Sequence, residues 1–501
     1  MKKRVIFIRF LSFGLLFLLL FYMTTELLKD KRVELEYDVT AKVKGFYAEP
    51  DDSLDFVFIG SSQLYADIAP NVLFSEYGIT SYDFCANEQP LWISYYYMKE
   101  ALKHQSPKAI VLDVFTVYGD TYEDNGVNHI NLDDLPWNLN KLEAIRNGVK
   151  PEDRMEFYFE LIRYHDTWAQ LDKNKIKNTF YHEKNVYKGY SPFVVAHDYE
   201  SQAKSEVLAQ KERQPIPERA LAWLDKIVRL TREEDVDLIF IKTPNGSAER
   251  QMLYNSVEDY AKKENVPFLN MNTIFDGEAH INILQAEKVT KYLGEYLLDK
   301  YEVTDKRTDE KFASWHEDSR YFYHKKDKCR LISTTDALSY MTYLKDTETI
   351  KMIAVKCDSA HPVTDKTMKL LEELGIRVQK NPENAILSGE ESGENMLQTD
   401  KDAFLYLAML DEKNHILLEK HIPVEQVSPD EGADSLSYQG HEWNVAYDAQ
   451  SEKKQTILSM DGDNYSLDQY GINLFVYDPL LEEIVEFVYF AAEDEYALVR
   501  E

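Results

Sequence analysis

The strongest pattern in the chain is an apolar run at its start. Between Val5 and Met23 the only charge is Arg9, and Lys2, Lys3 and Arg4 lie ahead of the run. A run of about 20 apolar residues spans a bilayer core, and a cationic side chain near its end snorkels to the interface. The exit, Thr24-Thr25-Glu26-Leu27-Leu28, has no small-x-small cleavage pattern. Residues 1–32 therefore predict a signal anchor and the start of a stalk, not a cleaved signal peptide. The leading basic residues predict a single pass of the cell membrane, with the N-terminus cytoplasmic and the bulk of the chain extracellular. Residues 29–50 read as charged stalk.

Beyond the stalk the pattern changes to short apolar runs closed by small polar residues. Leu54–Ile59, Thr80–Phe84, Ala109–Val114, Asp237–Lys242 and Pro267–Asn270 read as buried parallel strands. Trp92–Lys103, Glu218–Thr231, Glu249–Lys263 and Gln285–Tyr301 have helical spacing. The alternation predicts a three-layer α/β domain over 50–302, a parallel sheet with right-handed crossovers. Residues 120–216, rich in Tyr, Asn and His, break the alternation and read as an insertion over the sheet's carboxyl edge. Residues 303–327 are polar and read as a linker. A smaller mixed α/β domain follows over 328–501. It has helices at Asp336–Leu344 and Thr364–Leu374, the latter closed by Gly375 as a C′ glycine, a strand at Lys351–Lys356, and a β-rich end from Ala403 onward.

Composition narrows the class. At about 100–200 residues per domain, 501 residues make several domains. With 44% hydrophobic and 13% aromatic residues the chain is no disordered polymer. The formal charge of −31 argues against nucleic acid as a partner, since phosphate binding needs a basic surface. The acidity is concentrated late: residues 301–501 hold 21 basic and 41 acidic side chains. Cys85, Cys329 and Cys357 show no CxxC spacing, so neither a zinc nor a redox site is expected, and a Cys329–Cys357 bridge is left open.

The sharpest chemistry lies in the strand-to-loop junction Phe58-Ile59-Gly60-Ser61-Ser62-Gln63. A serine directly after a buried parallel strand sits at the carboxyl edge, where open α/β sheets bind ligands. A following helix turns N–H groups and its positive dipole end toward an oxyanion. Late in the same region, Asp276-Gly277-Glu278-Ala279-His280 precedes the last helix. A serine nucleophile needs an imidazole to take its proton and a carboxylate to fix the ring's tautomer. The plainer alternatives are a Gly-Ser-Ser turn and an ordinary surface or core histidine. Arg163, Tyr164 and His165 read either as a sugar cleft or as helix packing. Asp461-Gly462-Asp463-Asn464 lacks the order of a calcium loop and reads as a hairpin turn.

Together the GSSQ turn and the late Asp/His segment resemble the SGNH/GDSL hydrolase superfamily over about residues 50–302. The resemblance implies Ser62 as nucleophile with Ser61 beside it, His280 as base, and Asp276 as its orienter. The GSS turn is most similar to membrane-anchored relatives of the alginate and teichoic-acid O-acylation type. That likeness implies a cell-envelope glycan as substrate and a membrane-bound O-acyltransferase as partner. The sequence departs from the family pattern at three places. Position 277 is Gly277 where a D-x-x-H match needs an acid, the loop Cys85–Pro90 has no oxyanion glycine, and no G-x-N-D block follows Ala109–Val114. Asn87 and Asn245 stand as substitute oxyanion donors or substrate-binding residues. A lost oxyanion donor costs roughly 10²–10³ in rate. Two readings follow: an active serine esterase or O-acyltransferase, or an inactive glycan-binding scaffold. No cofactor and no metal is expected for either.

The C-terminal segments Ser333–Asp346, Ile353–Gly375 and Tyr470–Phe490 are similar to the interleukin-like EMT inducer (ILEI/PANDER-like) domain. Gly471-Ile472-Asn473 comes last here where the family has it first, which a permuted arrangement explains. The resemblance implies either carbohydrate binding or a protein-interaction module.

Overall fold

The computed structural model describes residues 2–29, 39–180, 184–194, 204–245, 248–277, 280–358, 361, 364–381, 384–388, 404–423, 433–448, 455–491 and 497–500. The chain divides into two compact units at Phe322/Tyr323.

The first unit begins with an apolar helix, Lys2–Leu28. Its stretch Arg4–Leu28 is long and apolar enough to cross a membrane, and the apolar window of 18 residues within it is unburied. At 1.5 Å per residue it measures about 37 Å. The expected stalk is shorter than the charge pattern suggests, because Val39–Ala48 is a helix. Val43 and Phe46 are buried in the core, Phe46 stacks on Phe84 at 4.1 Å, and the Tyr82 hydroxyl donates to the Lys42 carbonyl at 2.7 Å. The apolar spacing within VTAKVKGFYA, short and flanked by charge, is what ties this segment to the domain.

The sheet consists of β1 (Phe56–Ile59), β2 (Ser81–Asp83), β3 (Ala109–Asp113), β4 (Asp237–Lys242) and β5 (Phe268–Asn270). All pairings are parallel, in the order β2-β1-β3-β4-β5. The unbroken apolar runs are explained by burial on both faces. Val57, Ile59, Ile110, Leu112, Leu238 and Phe240 join one core with residues of the helices Leu91–His104, Glu218–Glu233 and Ala248–Glu264. On the other side the helices Pro70–Tyr77 and Ile283–Lys300 pack together, and Phe56 meets Tyr301 edge-on. Right-handed crossovers demand this division: the chain moves one way from β1 to β2 and the other way afterwards. The strand order thus reverses between β1 and β3, which makes their carboxyl ends a ligand-binding crevice by topology. Gly60 closes β1 there. A Cβ on it would lie 2.3 Å from the Asp113 Cβ, so any side chain would force the two strand ends apart.

The insertion covers the edge only in part. Leu139–Gly148 packs against Leu91–His104, while Leu161–Tyr164 and Lys173–Phe180 touch the N-terminal helix. Its later portion reaches the sheet's carboxyl side at β2. The Lys188 carbonyl accepts the Asp83 N–H at 2.9 Å, and the Ser191 N–H donates to the Tyr65 carbonyl at 2.8 Å. Gly189 makes this approach with φ +89, and a Cβ there would stand 2.2 Å from the Asp83 carbonyl oxygen. Gly189→Ala is therefore expected to destabilise the first unit by about 1–3 kcal/mol or more. A urea titration of the full chain measures this, and an unchanged midpoint would mean the segment is not seated on β2.

The polar stretch read as a linker is helical from Ala313, in the helix Ala313–Ser333. Trp315, Ser319 and Phe322 are buried on one stripe at i, i+4 and i+7, a spacing that the surrounding charges conceal.

The second unit is antiparallel. A six-stranded sheet is built from β6 (Ile350–Cys357), β9 (Phe404–Leu410), β10 (Ile416–Pro423), β15 (Gly471–Asp478), β16 (Glu483–Ala491) and β17 (Ala497–Arg500), in the order β10-β9-β6-β15-β16-β17. A hairpin pairs β7 (Arg377–Asn381) with β8 (Asn384–Ser388), and a four-stranded sheet joins β11 (Ala433–Tyr438), β12 (His441–Asp448), β13 (Gln455–Met460) and β14 (Asp463–Asn464). Period-two alternation sorts the faces of the larger sheet. Ile353, Val355, Tyr406 and Leu474 pack with the helices Ala337–Lys345 and Asp365–Glu373. Met352, Ala354, Leu407 and Phe475 pack with Trp443, Val445 and Leu458 of the smaller sheet. Gly471-Ile472-Asn473 opens β15, which runs antiparallel to β6. Asp461 and Gly462 connect β13 to β14 with φ of 54 and 95, both positive as a type I′ turn requires. Cys85, Cys329 and Cys357 are all buried and in no disulfide, so Cys329 and Cys357 form no bridge.

Candidate functional site

The ends of β1, β3 and β4 bring together residues far apart in sequence. Ser61 caps the short helix Ser62–Asp67. Its hydroxyl accepts the Gln63 N–H at 3.3 Å and donates to Asp113 Oδ2 at 2.6 Å, an oxygen that also takes the Ser61 N–H at 3.3 Å. The other oxygen of Asp113 accepts the Phe115 N–H at 2.9 Å. Lys242, the last residue of β4, is fully buried and donates to the Thr243 carbonyl. Asp67 is buried nearby, with Thr243, Lys242 and the Ile281 amide as its nearest polar surroundings.

Two carboxylates and one ammonium thus share a buried site. Burial raises the pKa of Asp67 and of Asp113, against the opposing pull of Lys242. Burial lowers Lys242 to about 8, although both carboxylates hold its charge. The cluster fixes Ser61. Ser62 is different: its hydroxyl has no hydrogen-bond partner among the described residues, and it is 8% exposed.

His280 is brought to this point from the other end of the domain. Its Nδ1 lies 3.2 Å from Gln63 Nε2, next in sequence to Ser62, and Phe193 of the insertion stacks on its ring at 5.1 Å. An imidazole that accepts a proton at Nε2 must carry its hydrogen on Nδ1. As placed, Gln63 Nε2 donates to Nδ1 and leaves the ring hydrogen on Nε2; a base at Nε2 requires the Gln63 amide to turn over, so that its carbonyl accepts from Nδ1–H.

The expected orienter stands elsewhere. Asp276 is exposed, its Oδ1 accepts the Lys204 N–H at 2.7 Å, and its carbonyl accepts from Gln285 Nε2 at 2.9 Å. The carboxylate one residue too early in the motif is thereby taken up by the start of the helix Lys204–Ala209. Glu278 lies outside the described residues. Asn87 follows β2 and gives its carbonyl to Asn131 Nδ2 at 2.9 Å. Asn245 follows β4, donates its N–H to Asn272 Oδ1 at 3.0 Å, and has its side-chain oxygen buried. Both asparagines flank the same edge as Ser62. Arg163, Tyr164 and His165 are not part of this edge. Tyr164 donates to Asp133, and the helix Leu161–Tyr164 lies against the N-terminal helix.

Sequence reasoning passed over Asp113, Lys242, Asp67 and Gln63. The available signal was a charged residue closing an apolar strand, at the end of AIVLD and of DLIFIK. A related group closes β2. Asp83 is fully buried with no hydrogen-bond partner for its carboxylate among the described residues. Burial raises its pKa well above the usual carboxylate range, only partly offset by Lys42. The native state then keeps a proton that the unfolded chain sheds above about pH 4. Its contribution to stability is present at low pH and is lost as pH rises toward the folded value. Asp83→Asn keeps the shape without the charge. Its thermal midpoint relative to the parent is expected to rise between about pH 5 and about pH 8. A constant difference would refute this.

Compared with protein-family models, with curated proteins and with solved structures, the chain matches none, so its functional reading rests on the strand-end residues themselves.

Proposed function

We propose that the first unit is a membrane-anchored, extracytoplasmic serine acyl-transfer enzyme of the SGNH type, an esterase or O-acyltransferase acting on a cell-envelope glycopolymer. One observation carries this reading: His280 is held against Gln63, next in sequence to Ser62 at the reversal point of the sheet. In this mechanism Ser62 Oγ attacks an acyl carbonyl while His280 Nε2 takes its proton. The same nitrogen then protonates the leaving alkoxide as the acyl-enzyme forms. A glycan hydroxyl or a water, deprotonated by His280, then attacks the acyl-enzyme, and the acyl–Oγ bond breaks as His280 returns the proton to Ser62 Oγ. Asn87 and Asn245 are the side-chain amides from which an oxyanion donor would come. The apolar N-terminal helix is read as the anchor, with the N-terminus cytoplasmic, and a membrane-bound O-acyltransferase as the acyl source.

A second reading, an inactive glycan-binding scaffold, is favoured by the engagement of Asp276 with Lys204 instead of His280. The deciding experiment treats the purified full-length chain in detergent with p-nitrophenyl acetate. Nitrophenol release is followed, and the intact mass is measured for an acetyl adduct, with Ser62→Ala in parallel. An adduct that maps to Ser62 supports the enzyme. No adduct and no release support the scaffold.

A further inference from the structure

We propose that the ectodomain does not hang from its anchor but rests on the outer leaflet, inserting an apolar stripe of residues 155–176 into the bilayer interface. This rests on the anchor reading above and on nothing assigned to Ser62.

The end of the membrane helix is built into the domain. Thr25, Leu28 and Lys29 are buried. Lys29 Nζ lies 2.8 Å from Glu26 and 2.8 Å from Glu160, and donates to the Asp133 carbonyl at 3.0 Å. Glu160 is also held by Lys141 at 2.9 Å. The Thr167 hydroxyl donates to the Leu28 carbonyl. Burial alone would lower the pKa of Lys29, but Glu160 and Glu26 outweigh it and raise it. The helix exit is therefore joined, by buried ion pairs and hydrogen bonds, to the segment 154–180.

That segment carries an exposed apolar stripe where it meets the helix. The turn between the helices Arg154–Tyr158 and Leu161–Tyr164 is closed by backbone bonds from the Phe159 N–H to Met155 O and from the Ile162 N–H to Phe159 O. Met155 and Ile162 are exposed on the two helices and Phe159 on the turn between them, while Phe157 and Glu160 are buried. Ile162 is 53% exposed, Trp168 68%, and Met155, Phe159 and Ile176 are exposed as well. Single exposed apolar residues need no explanation, but several on adjoining helices do. Leu161–Tyr164 and Lys173–Phe180 both touch the N-terminal helix, so the stripe adjoins the depth at which that helix leaves the bilayer. Apolar faces of interfacial helices sit about 5–10 Å into the headgroup boundary.

Charge agrees. The chain as a whole is at −31, yet residues 150–180 hold 6 basic and 6 acidic side chains. The neighbours of the stripe include the exposed cations Arg163, Lys173 and Lys177. An anionic leaflet, which repels the rest of the surface, accepts this one.

The test uses the full chain in phosphatidylcholine–phosphatidylglycerol vesicles. Because the native thiols are buried, one introduced cysteine takes an environment-sensitive dye at Ile162→Cys, Trp168→Cys, Leu16→Cys or Glu233→Cys. Each label is quenched either by nitroxide lipid or by aqueous iodide. Labels at 162 and 168 are expected to be quenched by the lipid and shielded from iodide severalfold relative to 233, an exposed position. Iodide quenching at 162 and 168 equal to that at 233, with 16 quenched by lipid, overturns the proposal and leaves the anchor standing. Shielding from both quenchers means a protein covers the stripe, which also overturns it. If the label at 16 escapes the lipid quencher, the anchor reading fails and takes this one with it.

Discussion

Ser62→Ala is expected to erase the acetyl adduct and to lower nitrophenol release by roughly 10³-fold or more, while Ser61→Ala leaves the adduct in place. Loss of a nucleophile removes the covalent route and leaves only binding and oxyanion contributions. The two adjacent serines are separated by their partners. The Ser61 proton is given to Asp113 at 2.6 Å, and its oxygen also accepts the Gln63 N–H. Attack from Ser61 would break a buried, charge-assisted bond and leave the carboxylate with the backbone N–H groups of Ser61 and Phe115. Ser62 has no such tie among the described residues, and its neighbour Gln63 meets His280. Intact mass and release rates of both variants, compared at equal folded fraction, check the assignment. An adduct that survives Ser62→Ala would reject it.

Asp113→Ala is expected to have the largest effect on stability, about 3–5 kcal/mol. It removes the acceptor of the Ser61 hydroxyl, the Ser61 N–H and the Phe115 N–H together. It also leaves Lys242 fully buried with Asp67 as its remaining carboxylate. Breaking a buried pair costs more than never having built it, because the surviving charge stays desolvated. Lys242→Met in the same background should therefore recover part of the loss. Urea unfolding of the parent, the single variant and the double variant measures both steps. A loss below about 1 kcal/mol would mean the cluster is solvated.

The parallel sheet was legible because its strands are uninterrupted apolar runs. DLIFIK is a strand over the residues expected, and the helix Glu218–Glu233 extends the predicted one by two residues. What escaped had no period to read. Ala433–Tyr438 is largely polar, and the helices Arg154–Tyr158 and Leu161–Tyr164 are about one turn each. At the candidate site, the positions of Ser62 and His280 were legible because a strand end and a helix start are sequence landmarks. The partnership of His280 with Gln63 was not, since spatial neighbours 217 residues apart leave no local trace. Nor was the engagement of Asp276: motif spacing says which acid stands nearby, not which N–H it takes.

The three cysteines have a consequence for how this chain is made. Each is sealed in a core, far in sequence from the others, and burial pushes the Cys85 thiol well above its usual range and that of Cys357 to about 12. Thiols in that state are poor nucleophiles and poor targets for oxidants. Native folding therefore calls on no disulfide-forming machinery, and neither reductant nor mild oxidant distinguishes one folded form from another. The chain can fold in surroundings of quite different redox poise and arrive at the same native state in each.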